Sequence, residues 1–216
     1  MIVNDTWPAL GRLMLMGFVA LGMAACGGGG DQSAERPPVN LGTPEIIGTS
    51  VWDVDGDASS VGFRGVMNDK TFEGSFDDFV IGIALNPEDP ASEGVVEARF
   101  DLASASTGEK DKDEALPTET WFHVSMHPVA TFRSDDIRET APGTYEAVGT
   151  LSIKGVSRPV TLPFSLTVND EGRAVADGSV TISRSSFSIG TGEFANGKWV
   201  EPEIEVLIHV EAVPAG

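Results

Sequence analysis

Tyr145-Glu146-Ala147-Val148-Gly149-Thr150-Leu151-Ser152-Ile153-Lys154-Gly155-Val156-Ser157-Arg158-Pro159-Val160-Thr161-Leu162-Pro163-Phe164-Ser165-Leu166-Thr167-Val168 is the stretch that decides the fold. In its first half Tyr145, Ala147, Gly149, Leu151 and Ile153 alternate with Glu146, Thr150, Ser152 and Lys154. In its second half Val160, Leu162, Phe164, Leu166 and Val168 alternate with Thr161, Pro163, Ser165 and Thr167. A period of two is the signature of a strand with one face buried and the other in water. Pro163 falls on the outward set. A residue without an N–H to donate signals an edge or a bend in that strand.

The same period runs outward in both directions. Val96, Ala98, Phe100 and Leu102 alternate with Glu97, Arg99 and Asp101, and Ile204, Val206, Ile208 and Val210 alternate with Glu205, His209 and Glu211, which places His209 on the exposed face. Turn signals separate the runs at Asn68-Asp69-Lys70, Asn86-Pro87-Glu88-Asp89-Pro90, Ala141-Pro142-Gly143, Asn169-Asp170-Glu171-Gly172 and Asn196-Gly197. The one stretch able to hold a short helix is 107–119, charged and closed by Pro117. The pattern is an all-β antiparallel domain of about eight strands, either a sandwich or a closed barrel. Its inward set is Val61, Phe63, Phe72, Phe76, Phe79, Ile81, Ile83, Phe100, Phe132, Leu151, Phe164 and Ile182. That set would line an apolar ligand cavity or fill a solid core equally well, and alternation does not choose.

The chain has 216 residues and a net charge of −19. So acidic a protein has no basic surface to neutralise phosphates, which argues against nucleic acid as a partner. It also argues against peripheral attraction to anionic lipid headgroups. Cys26 is the only cysteine, so no intramolecular disulfide can form. It follows the apolar run Leu13–Ala25, too short to span a bilayer but suited to the core of a signal peptide. Met23-Ala24-Ala25-Cys26 resembles a lipobox. On that reading residues 1–25 are a removed signal peptide, and Cys26, acylated by groups such as palmitate, anchors the mature chain to a membrane. An ordinary secretory signal cut nearby would instead leave a free thiol. Removing residues 1–25 takes away only Arg12 and Asp5, so the mature charge stays at −19. Residues 26–48, with Gly27 to Gly30 and Pro37-Pro38, read as a flexible tether, and the folded domain as 49–213.

Groups for chemistry are scarce. His123 and His127 are four apart, a ligand spacing on a helix, but Pro128 follows and no third ligand completes a metal site, so they read as surface histidines. No nucleophile has a base beside it in sequence and no Gly-x-Ser-x-Gly elbow occurs. Gly192 to Lys198 has the spacing of a phosphate loop, but Trp199 stands where the hydroxyl residue belongs and Asn196-Gly197 reads as a hairpin turn. The reading is of a protein that is not an enzyme and holds no metal.

Trp52-Asp53-Val54-Asp55, Ser59-x-Val61-x-Phe63, Gly74-x-Phe76, Ala105-Ser106-Thr107-Gly108, Thr120-Trp121-Phe122, Pro128-x-Ala130-Thr131-Phe132-x-Ser134, Gly149 to Leu162 and Arg184-x-x-Phe187-x-Ile189-Gly190 occur in that order. Together they resemble the YceI-like family of exported bacterial proteins, lipocalin-like in architecture and with polyisoprenoid-binding members. The resemblance implies a single eight-stranded antiparallel barrel around an apolar tunnel. It implies Phe63, Phe76, Phe122, Phe132, Leu151 and Phe187 as tunnel lining, with Trp121 and Arg184 near the mouth. Phe79, Phe100, Phe164 and Ile182 rest on alternation alone. The chain departs from the family pattern at Ala58, where a His is common, and at Ser186, where an Asp is common.

The expected function is passive sequestration or transport of a long lipid such as a polyisoprenoid, a quinone or a fatty amide, with no other cofactor. The competing expectations are an accessory of a membrane b-type cytochrome or quinone system, and a structural envelope domain with a filled barrel. A dimer is left open. With Gly27 rather than Asp after Cys26, the signal resembles those sorted to the periplasmic face of an outer membrane.

Overall fold

A computed structural model describes residues 39–46, 48, 50–86, 89 and 94–216. Cys26, the expected signal peptide and most of the expected tether lie outside the described residues. The strands are β1 (Val51–Val54), β2 (Ser60–Met67), β3 (Lys70–Phe76), β4 (Phe79–Ala84), β5 (Val95–Asp101), β6 (Ala105–Ser106), β7 (Val129–Ala141), β8 (Thr144–Ile153), β9 (Val156–Val168), β10 (Ala174–Ser183) and β11 (Glu203–Pro214). Among the described residues one α-helix, α1, spans Lys110–Ala115, inside the expected 107–119. Its Asp113 carboxylate accepts from the Thr107 N–H at 2.6 Å and hydroxyl at 2.7 Å, and from the Ser106 hydroxyl at 3.0 Å. Burial would raise that carboxyl's pKa, but these hydrogen bonds outweigh it and lower it.

All pairings are antiparallel, and the eleven segments make eight staves. Three staves are broken: β1 and β2 by the loop Asp55–Ser59, β3 and β4 by Asp77-Asp78, β5 and β6 by the 3-10 turn Leu102–Ser104. Each stave pairs with its neighbour in sequence, and the last closes on the first. β11 pairs with β1 through Val54↔Ala212 and with β2 through Ser60↔His209, on the same edge. Ser59 bridges the break, its hydroxyl accepting from the Glu211 N–H at 3.0 Å. Closure decides between the two architectures that alternation left open: this is a barrel.

Two irregularities in the wall have readable causes. The β7–β8 register slips between Ser134 and Asp136, opposite Gly149. A Cβ at Gly149 would collide with the Arg133 carbonyl, so the bulge needs glycine there. The β9–β10 ladder runs from Ala174↔Val168 to Gly178↔Phe164 and stops, although β10 continues to Ser183 and stays paired with β11 throughout. The next residue of β9 is Pro163, which has no N–H to offer, and Pro159 lies four positions further on. The sequence signal of an edge or bend at Pro163 corresponds to the end of a ladder inside the closed wall.

The chain ahead of β1 is held to the outer surface. Glu97, 7% exposed, pairs with Arg99 at 2.6 Å and Arg133 at 2.6 Å. The same guanidinium groups donate to the carbonyls of Leu41 at 2.9 Å and Glu45 at 3.2 Å. Pro44 and Ile46 pack over Gly82. The expectation of a free tether through residue 48 is therefore corrected over 41–46, which lie as a strap along β4, β5 and β7. Among the described residues no helix is long and apolar enough to cross a membrane.

Replacing Gly149 with Ala forces β7 and β8 apart at the bulge. The expected cost is about 1–3 kcal/mol, read as a lowered midpoint of chemical denaturation against the parent protein.

Candidate functional site: an apolar cavity in the barrel

The inward face of the staves encloses a cavity of about 230 Å³. Every member of the expected inward set except Phe79 lines it. Phe76 is the centre of an aromatic group, with ring centroids 5.5 Å from Phe63, 5.9 Å from Phe100 and 6.1 Å from Phe122. Phe132 and Leu151 face the cavity as register partners on β7 and β8. Phe164 stacks on Tyr145 at 5.5 Å, and burial together with the Glu139 carboxylate raises that phenol's pKa. Trp52, a lining residue that alternation did not assign, is buried with its indole N–H on the Leu85 carbonyl at 2.7 Å.

The interior is hollow, and the pattern of exposure along β9 shows it. Thr161, Pro163, Ser165 and Thr167 are exposed on the outside, yet the inward Val160, Leu162, Phe164 and Leu166 are only half-buried. The same holds for Val180 and Ile182 on β10 and for Ile204, Val206 and Ile208 on β11. Side chains facing a filled core would touch neighbours on every side and lose this residual surface. Among the described residues no buried side-chain polar atom lacks a partner. Apart from Arg184, the residues that line the cavity are apolar.

Two expected lining residues lie elsewhere. Phe79 is half-buried at the start of β4, where the stave bends, and does not reach the cavity. Phe187, 2% exposed, sits in the 3-10 turn Arg184–Phe187 and packs into the cluster of Phe122, Ile153 and Ile189. The turn ends the period of two after Ser183, so the side chain points into the barrel's end rather than its lumen. Val168, on the inward register, is 44% exposed at the end of β9.

The family resemblance implies a place for Arg184 near the mouth. It does border the cavity, but it is 2% exposed and fully engaged. Nε donates to the Glu201 carbonyl at 3.0 Å. One terminal nitrogen donates to Ile189 at 2.9 Å and Gly190 at 3.1 Å, the other to Phe194 and Val200, each at 2.6 Å. All five guanidinium N–H groups are thus spent on backbone carbonyls. Burial lowers this guanidinium's pKa, and Trp121 lies 5.9 Å from it, its own ring 5.2 Å from Phe194. Ser186, at the position where Asp is common, is exposed. Lys154 plays a parallel part. Its ammonium donates to Glu119 O at 2.6 Å and Ser188 O at 2.8 Å, and burial lowers its pKa against the opposing pull of Glu119. Two cations thereby tie the loops at one end of the barrel together.

The histidines are not free surface groups. His123 and His127 are half-buried with rings 5.8 Å apart. Among the described residues no cluster of three His, Cys, Asp or Glu could hold a metal. His209 lies between Asp177 at 2.7 Å and Glu211 at 3.6 Å, and the hydrogen bond to Asp177 raises its pKa. The stretch resembling a phosphate loop is a 3-10 turn, Gly192–Phe194, whose Phe194 carbonyl serves Arg184.

A closed meander of eight antiparallel staves with an apolar hollow is the lipocalin-like class of barrel. Residues 52–212 match the model of the YceI-like domain, and the chain belongs to that family. A UPF0312 protein of Yersinia enterocolitica is 31% identical over 147 residues, covering 66% of this chain and 73% of the relative. A UPF0312 protein of Yersinia pestis is 30% identical over 145 residues, 65% of this chain and 72% of the relative. Among solved structures, Burkholderia cenocepacia BcnA superposes with a TM-score of 0.72 at 30% identity, covering 74% of this chain and all of that one (100%). A polyisoprenoid binding domain from Saccharophagus degradans shares the fold at a TM-score of 0.60 and 15% identity, over 76% of this chain and 98% of that one.

Arg184→Met would strand five backbone carbonyls, three of them in buried contacts. The expected loss is at least about 3 kcal/mol of stability, seen in thermal unfolding. Arg184→Lys, with three donors for five acceptors, recovers only part of it.

Proposed function

We propose that the protein binds a long apolar lipid (a polyisoprenoid, a quinone side chain or a fatty amide) with its tail inside the barrel, for sequestration or transport in the cell envelope. The observation that carries this reading is the hollow apolar wall, because half-buried inward side chains on β9, β10 and β11 leave room that the protein itself does not fill. The polyisoprenoid binding domain from Saccharophagus degradans supports it as a protein of the same fold.

The size of the cavity bounds the ligand. With a volume of about 230 Å³, the cavity admits part of a long tail rather than a whole large lipid. Each buried methylene contributes about 0.8 kcal/mol. Ten of them give about 8 kcal/mol, the scale of micromolar affinity, before the tail's ordering is subtracted.

The proposal extends to placement. Cys26, acylated, would hold the barrel beside the bilayer that supplies the lipid, on the periplasmic face of an outer membrane. Proximity then substitutes for electrostatic attraction, which a net charge of −19 does not provide.

Leu151→Trp puts an indole into the lumen opposite Phe132, and Phe132→Arg puts a charge there. Both are expected to abolish lipid that co-purifies with the full chain, read by native mass spectrometry, while far-UV circular dichroism remains that of the barrel. Lipid retained at the parent level in both folded variants would overturn the cavity reading.

A further inference from the structure

Among the described arginines, one is not committed. Arg64 pairs with Glu73 and Glu205, Arg138 with Asp136 and Glu146, and Arg173 with Asp55 and Glu211. Arg99 and Arg133 share Glu97, and Arg184 is enclosed by carbonyls. Arg158 has only a 3.3 Å contact to the carbonyl of its own neighbour Ser157. In a chain of net charge −19, an exposed guanidinium without a carboxylate stands out.

Its position is more telling than its freedom. Arg158 is the register partner of Leu151, a lining residue, and shares the inward alternation of β9 with Val160 and Leu162. It belongs to the set that faces the cavity, yet it is exposed. The wall explains this. Beyond Gly178↔Phe164 the described residues of β9 and β10 form no ladder, so Val156–Pro163 faces Ser179–Ser183 across a seam. Val160 and Leu162 on one rim and Val180 and Ile182 on the other line the cavity. At the end of the seam where the ladder stops, Phe164 and Gly178 border both the cavity and a groove on the outer surface.

We propose that this seam is a lateral binding site for the head of the lipid, with Arg158 at its lip holding an anionic head group of the phosphate or carboxylate class. The tail passes between β9 and β10 into the cavity. This rests on the lipid-binding reading above and adds the chemistry of the ligand's polar end. The interior cannot supply that contact. Arg184 has no N–H left, and Lys154 is held by two carbonyls. A guanidinium presents paired donors that match a phosphate or carboxylate in a plane. Here it would also offset locally the repulsion that so acidic a protein exerts on an anionic lipid.

The test compares two C15 probes of the same tail, farnesyl phosphate and farnesol, titrated into the full chain and into Arg158→Gln and Arg158→Lys. Arg158→Gln is expected to weaken farnesyl phosphate about tenfold and to leave farnesol within about twofold. Arg158→Lys is expected to recover part of the loss, and inorganic phosphate alone is expected not to compete. Equal effects on both probes, or none on either, would overturn the head-group site while leaving the cavity reading intact. Competition by inorganic phosphate as strong as by farnesyl phosphate would reduce Arg158 to a general anion site and overturn it as well. If neither probe binds the parent chain, the lipid-binding reading falls, and the head-group site with it.

Discussion

Closure of β11 onto β1 and β2 sets everything that follows. A sheet closed on itself has no edge to protect and must send every second side chain into one enclosed space. With eight staves that space is wide enough for residues of ordinary size to leave it unfilled. Gly178, Ala98, Ala147 and Ala176 are among the lining, and small side chains at such positions keep the lumen open. The protein accepts a packing deficit there. A lining atom without a neighbour forfeits its dispersion contacts, and a lipid tail restores them. Affinity and stability are in this sense the same quantity seen with and without ligand.

The ends and wall of the barrel are fixed by groups that are not apolar. Arg184 and Lys154 act on backbone carbonyls from several loops, which is how the fold closes one end without a disulfide. Glu97, held between Arg99 and Arg133, fixes the strap that precedes β1 on the outside. Each of these charges is spent on structure, and the arrangement leaves the inside of the cavity without a donor to offer. The proposed head-group site falls where the β9–β10 ladder ends, where two prolines on β9 withhold N–H groups and β10 goes on with β11 alone.

Most of the staves could be read from the chain before any coordinates. The alternation from Tyr145 to Val168 places β8 and β9 and their inward faces, and Pro163 marks where the wall weakens. Barrel and sandwich were not separable by that route, because β11 meets β1 across the whole length of the domain and periodicity carries no information about such a pairing. Only the ordered resemblance from Trp52 to Gly190 pointed to closure. Phe187 was misplaced because a 3-10 turn replaces the strand after Ser183, and Phe79 because its stave breaks at Asp77-Asp78. The spent state of Arg184 was invisible, since its five acceptors are main-chain atoms that any sequence would supply. Arg158 was overlooked for the opposite reason: its freedom depends on a ladder that ends early, which is a property of two strands and not of one.

The central claim is that the lumen holds a lipid tail. The most direct measurement is a high-resolution crystal structure of the full chain purified from its own host without organic extraction. The account predicts elongated density along the lumen between Phe132, Leu151 and Phe164. A lumen filled by inward collapse of those same side chains, with no density between them, would contradict it.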